Sequence, residues 1–248
     1  MITFAKAANK RTMTIIGFDA DDTLWVNETY FREAESRFYD LMAGYGTQKQ
    51  LADDLHKVIM QNLSLYGYGI KSLMLSMTET ALGFMKGQSP VRIMEAILSI
   101  GKEMLNKPVI LLDGIQDALA GLRDKGYTMI LATKGDLLDQ ERKLHKSGMG
   151  DFFHHIEIMS EKNEDSYLKL LSRLHIRADE FVMVGNSLRS DILPVVNIGG
   201  FAIHIPSQST WVHEMIDPKL INGSYRTIRH AAEIPSVLEA HHHPKNHV

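Results

Sequence analysis

No cysteine occurs in the 248 residues, which excludes disulfides, thiol nucleophiles and thiolate-bound zinc. Carboxylates, His, Ser, Thr and Lys are left to carry any chemistry. A chain without thiols suits a reducing compartment, and a cytoplasmic protein is expected. No apolar run approaches the roughly 18 residues that a membrane-spanning helix needs, so no membrane partner is expected. Lys6, Lys10 and Arg11 precede an apolar stretch, Met13 to Phe18, that is too short for a signal h-region and runs into Asp19. An excess of charge of one sign is also lacking: 27 Lys and Arg stand against 30 Asp and Glu, a formal net charge of -3. The pI is near 6.5. Without a concentrated basic run there is no electrostatic footprint for nucleic acid, and a small-molecule partner is expected. Twelve His are present, but no Gly-x-Ser-x-Gly nucleophile elbow accompanies them. Gly67-Tyr68-Gly69 follows no strand pattern and does not complete a GxGxxG, so it is a weak nucleotide signal.

What is present is a composition of 44% hydrophobic and 23% charged residues, enough for a sizeable core. Short apolar, β-rich runs recur at Thr14–Phe18, Tyr127–Ala132, His155–Ile158, Phe181–Val184 and Phe201–Ile205. Most are too uniformly apolar for a sheet with one wet face, and patterns of helical length separate the last four. The fold class expected is therefore α/β, a doubly wound parallel sheet. One intervening helix is expected over Gly114–Lys125, where Ile115, Leu119 and Leu122 share a face and Gly126 follows as a C-cap. Residues 27–108 contain no strand pattern but several helical ones, including Glu28–Met42 and a Thr47/Gln50 capping box. They are expected to form an inserted all-helical cap of about four helices, with Leu63, Leu65, Leu73, Met74, Leu75 and Met77 in its core. Residues 1–26 and 109–248 would form the α/β core domain, ending in a disordered tail over 240–248.

Phe18-Asp19-Ala20-Asp21-Asp22-Thr23-Leu24 sets three acidic residues directly behind the first strand, at the sheet edge where open α/β folds bind ligands. An isolated Asp-x-Asp there is ordinarily a solvated turn. Clustered carboxylates repel and are costly to desolvate, and a hard divalent cation such as Mg²⁺ relieves both difficulties because it prefers oxygen ligands. An Asp held near that metal can attack phosphorus covalently, and a second carboxyl nearby can move protons.

The stretch resembles the first signature of the haloacid dehalogenase superfamily, Asp-x-Asp-x-Thr-Leu, matched at Asp19, Asp21, Thr23 and Leu24, with Asp22 where that family often has Gly. The later signatures follow in order: Thr133 ends the second strand, Lys162 precedes a helix, and Asn186 and Asp191 follow Gly185. Lys134 stands where many relatives have Asn, and Asn186 where the family expects Asp. The resemblance implies a phosphatase with Asp19 as nucleophile and Asp21 as acid and base. It further implies Thr133, Lys134 and Lys162 around the phosphoryl group, and Mg²⁺ held by Asp19, the Asp21 main-chain carbonyl, Asn186 and Asp191. The substrate would be a small phosphorylated metabolite. A 2-haloacid dehalogenase, a phosphomutase and a non-catalytic binding protein on the same fold are the alternatives. Asp21 weighs against the first, because attack on carbon needs no second Asp.

Overall fold

The structure is a computed structural model and describes residues 14–207, 209 and 211–242. Lys6, Lys10, Arg11 and the end of the tail lie outside the described residues. Six strands form one parallel sheet: β1 (Ile15–Phe18), β2 (Thr128–Lys134), β3 (His155–Met159), β4 (Phe181–Gly185), β5 (Phe201–His204) and β6 (Tyr225–Thr227), in the order β3-β2-β1-β4-β5-β6. Every pairing is parallel. This is a doubly wound order whose direction reverses beside β1, so the crevice for a ligand opens at the carboxyl ends of β1 and β4.

β1 is central and buried on both faces. Ile16 and Phe18 pack with Leu119 and Leu122 of α5 (Ile115–Asp124) and Leu238 of α9 (Ile234–His242), while Ile15 packs with Tyr167, Leu170 and Leu171 of α7 (Glu164–Leu174). Ile15, Ile16 and Phe18 are fully buried, each contributing roughly 1.5–3 kcal/mol. That sum is on the order of the several kcal/mol it costs to keep an ionised Asp19 out of water at the strand's end. Gly17 is required where it stands, since a Cβ there would lie 2.6 Å from the Phe181 ring.

Between β1 and α5 come four helices: α1 (Glu28–Leu41), α2 (Gln48–Tyr66), α3 (Ile70–Phe84) and α4 (Val91–Asn106). They enclose their own apolar cluster, with Phe38, Leu51, Leu55, Leu73, Met77 and Ile97 at its centre. The capping box forms as expected, Thr47 accepting from the Gln50 N–H while the Gln50 side chain accepts from the Thr47 N–H. Leu65 and Leu75, expected in this core, are 75% and 45% exposed. Leu73 and Met77 are four apart and face inward, which turns Leu75 to the opposite side of the helix.

Two expectations change outside the cap. β6 extends the sheet through Tyr225-Arg226-Thr227, whose mixed polarity carries no strand signal. α9 continues through His242, and His241 stacks on Phe201 at 4.0 Å between centroids, so residues 240–242 are helical and not disordered. The remaining core helices are α6 (Leu137–Ser147) and a short α8 (Leu193–Asn197). Among the described residues no helix is long and apolar enough to cross a membrane.

Asp22 explains how the chain leaves β1 for the cap. Its backbone is left-handed, φ 60°, a conformation that suits Gly. Its carboxylate accepts from the N–H groups of Asn27 (3.0 Å) and Glu28 (2.9 Å), capping α1, which receives no cap bond from the Asn27 side chain. Asp22→Ala, losing the cap and keeping the strained φ, is expected to cost about 2 kcal/mol. Asp22→Gly should cost less, because it relieves the backbone. Urea denaturation of both variants checks that order, and an equal or reversed cost would contradict it.

Candidate active site

The carboxyl ends of β1, β2 and β4 and the loop after β3 meet in one cleft of about 180 Å³ lined by Asp19, Asp21, Thr133, Lys162, Asn186 and Asp191. Asp19 continues the ladder, its N–H donating to the Val184 carbonyl at 2.9 Å. Its side chain is buried beside Thr23, whose Oγ1 donates to Oδ2 at 3.0 Å. Lys162 reaches in from the loop before α7. Its Nζ lies 2.5 Å from Asp19 Oδ1 and 2.7 Å from Asp191 Oδ1, with its side chain 1% exposed.

Burial disfavours the Lys162 charge, but Asp19 and Asp191 on either side outweigh it and hold the ammonium well above its ordinary pKa. Burial pushes the Asp19 carboxyl up to about 7; Lys162 opposes that rise, and Asp191 and Asp21 add to it. The cation therefore belongs to both carboxylates, and its removal would leave two buried like charges facing each other.

Asp191 sits in a π-helical turn, Leu188–Ile192, where the widened backbone aims side chains that a regular helix would not. Asp191 Oδ2 accepts from the Ser187 N–H at 2.9 Å. A Cβ on Gly185 would come within 2.3 Å of the Asp191 carboxylate, so only glycine lets that carboxylate fold back over the strand end. Ser187 caps the turn by accepting from the Ser190 N–H, which leaves the Asn186 side chain to point elsewhere.

Asn186 Oδ1 lies 3.1 Å from Thr23 Oγ1 and faces the Asp21 main-chain oxygen and Asp19 Oδ2, each at 3.3 Å. Three acceptors facing one another repel. Either the amide turns over so that its nitrogen donates to them, or a small hard cation joins the oxygens. Ligands about 2.1 Å from Mg²⁺ in an octahedron are roughly 3 Å from their neighbours, so this oxygen set fits that ion. Among the described residues no three His or carboxylate side chains converge on one point. A cation here would depend on the Asp21 carbonyl and the Asn186 amide beside the Asp19 carboxylate, and Asp191, whose oxygens serve Lys162 and Ser187, would add charge or bind through water.

Thr133 Oγ1, next to the end of β2, is buried without a hydrogen-bond partner among the described residues. A buried hydroxyl in that state is costly unless a ligand oxygen satisfies it. Lys134 is otherwise engaged. Its Nζ donates to Ser190 Oγ (2.9 Å) and pairs with Glu214 (2.5 Å), and it stands 4.2 Å from the Tyr68 ring. Burial works against the Glu214 charge, but Lys134 and the hydroxyls of Ser187 and Ser190 outweigh it and hold the carboxyl at about 2.

Asp21 is gripped from α6 and from its own turn. Lys143 Nζ lies 2.6 and 2.7 Å from its two oxygens, Gln140 Nε2 donates at 2.8 Å, and Trp25 Nε1 donates at 2.8 Å. Gln140, Lys143 and Glu214 were not singled out in the sequence. The first two lie three apart on α6, a spacing that places them on one face, but nothing in their neighbours marks that face as the one toward Asp21. Glu214 ends a single 3₁₀ turn, Val212–Glu214, too short to carry a periodicity.

A family model described as haloacid dehalogenase-like hydrolase matches residues 13–199. A crystal structure of a haloacid dehalogenase-like family hydrolase from Xanthomonas campestris is 36% identical, with a TM-score of 0.84, over 95% of this chain and 94% of that one. Glyceraldehyde 3-phosphate phosphatase from Methanothermobacter thermautotrophicus is 28% identical over 203 residues, 78% of this chain and 85% of the relative. L-2-haloacid dehalogenase from Xanthobacter autotrophicus, at 13% identity and a TM-score of 0.64 over 92% of this chain and 98% of that one, shares the fold.

Proposed function

Because the chain belongs to the haloacid dehalogenase-like hydrolase family, we propose that it is a Mg²⁺-dependent phosphatase that transfers the phosphoryl group of a small metabolite to Asp19 and then to water. The observation that carries this reading is the convergence of Asp19, Lys162 and the unsatisfied Thr133 hydroxyl in one cleft. Asp19 Oδ1 or Oδ2 would attack phosphorus in line as the ester oxygen departs. Lys162 would shift part of its contact from Asp19 to the transferred group, and Thr133 Oγ1 would donate to a phosphoryl oxygen. Asp21 would give a proton to the departing ester oxygen, then take one from the water that hydrolyses the aspartyl phosphate. Gln140, Lys143 and Trp25 keep its carboxylate in place meanwhile. Mg²⁺, held by Asp19, the Asp21 carbonyl and Asn186 with support from Asp191, would neutralise charge on the phosphoryl oxygens. Lys134, tied to Glu214, would present a screened cation at the edge of the same site.

Residues 27–108 would serve as the cap that covers the site and selects what carries the phosphate. The named relative's substrate points to a three-carbon monophosphate as the first compound to test. The test is phosphate release from glyceraldehyde 3-phosphate and related esters, with 2-chloropropionate assayed alongside for chloride. Free phosphate that disappears on chelation and returns with Mg²⁺ is the expected result. Chloride release indifferent to chelation, without phosphate release, would replace the phosphatase with a dehalogenase.

A further inference from the structure

The cleft has a second wall, made by α1, α2 and α3. Glu28, Phe31 and Glu35 on α1 are spaced i, i+3 and i+7 and share one helical face. All three line the cleft, with Ile59 and Leu63 of α2 and Leu73 of α3. The wall thus combines apolar side chains with Ser72 and Tyr68, and its only charged groups are the two carboxylates. Arg32 stands beside Glu28, Nε to Oε1 3.2 Å, but its side chain is 55% exposed and water screens much of its charge. No hydrogen bond reaches Glu35 from the described residues; burial raises its carboxyl and Arg32 opposes that rise. Burial, with Asp22 and Glu35 nearby, likewise raises Glu28, to about 7.

The cations lining the cleft are already committed. Lys162 serves Asp19 and Asp191, Lys143 serves Asp21, and Lys134 serves Glu214. A second anion on the substrate would find no unpaired cation in the lining and would be set against carboxylates in a poorly hydrated site, where like charges repel strongly. A hydroxyl or ammonium would instead supply hydrogen-bond donors to these half-buried carboxylates.

We propose that Glu28 and Glu35 determine specificity, so that this cleft takes phosphate monoesters whose alcohol portion carries hydrogen-bond donors and rejects those carrying a second phosphate or a carboxylate. The inference rests on the phosphatase reading and narrows its substrate class. Phe31, Ile59 and Leu63 would pack the short carbon chain between the phosphate and those donors.

The experiment compares kcat/KM with Mg²⁺ for glycerol 3-phosphate, phosphoethanolamine, phosphoglycolate and glycerol 1,3-bisphosphate, in the wild type and in Glu28→Gln, Glu35→Gln and double variants. Gln keeps the size and removes the charge, and thermal unfolding of each variant reports its folding. The better donor-bearing ester should exceed both anionic ones by about tenfold or more in the wild type. In the double variant that ratio should shrink to within about threefold. Comparing the first two substrates separates hydroxyl from ammonium as the donor. Equal turnover of phosphoglycolate and glycerol 3-phosphate by the wild type, or a ratio that survives in a folded double variant, would overturn the proposal while leaving a phosphatase. Silence toward every phosphate ester would overturn the phosphatase reading and this inference with it.

Discussion

Asp19→Asn is expected to yield a folded protein whose phosphatase kcat/KM has fallen by a factor on the order of 10⁴ or more, since an amide cannot serve as the nucleophile proposed for Asp19. Folding should survive, because Lys162 keeps Asp191 at 2.7 Å and Asn can still accept from Thr23. The variant carries a second signature. Asp19 has its carboxyl raised from 3.8 to about 7 in the folded protein by burial, so the native state holds a proton that the unfolded chain has released. A carboxyl of that kind contributes its full stability below about pH 4 and loses it as pH rises through about 7. In metal-free buffer above pH 7, Asp19→Asn should therefore melt no lower than the wild type. Phosphate release at matched Mg²⁺, with calorimetry across pH 5–8, tests both statements. Activity within tenfold of wild type would remove Asp19 from the role of nucleophile.

Lys162→Met should lose stability as well as rate. Without the ammonium, Asp19 and Asp191 are two buried carboxylates that share no cation, and breaking a buried pair in this way costs about 3–5 kcal/mol. Loss of the charge opposite the phosphoryl group should lower kcat by on the order of 10²–10³. The stability loss should follow pH in a definite direction. Removing Lys162 takes away the influence that lowers the Asp19 carboxyl, so its folded value rises above the about 7 of the wild type while the unfolded value stays near 3.8. The deficit is then smallest below about pH 4, where Asp19 is protonated in both states, and grows as pH rises past 7. Added Mg²⁺ should restore part of it by binding the native state. Melting curves with and without Mg²⁺ at pH 5 and pH 8 would decide this, and a variant as stable as wild type at pH 8 would mean that Lys162 is not what holds the two carboxylates together.

Much of the molecule was legible from residue order. Five of the six strands, the helix over Ile115–Asp124 and the Thr47 capping box stand where hydrophobic period and capping chemistry put them. These are local signals, carried by residues close together in sequence. β6 was not legible because it is an edge strand of three residues, held by pairing with β5 and not by an apolar pattern of its own. Leu65 and Leu75 misled because hydrophobicity alone does not say which side of a helix meets its neighbours. The signature positions Asp19, Asp21, Thr133, Lys162, Asn186 and Asp191 do share one cleft, as a parallel sheet requires when each follows the carboxyl end of a strand.

Residue order by itself determined five of the strands, that they run parallel, and therefore at which edge of the sheet the acidic residues would collect. Only the tertiary structure decided how charge is divided there. Lys162 lies between Asp19 and Asp191, Lys143 and Gln140 hold Asp21, Glu214 claims Lys134, and Glu28 and Glu35 face the cleft from the cap. Strand formation depends on short-range pattern, whereas the pairing of charges depends on distances of a few ångströms between segments up to 143 positions apart, which folding sets and sequence spacing does not record.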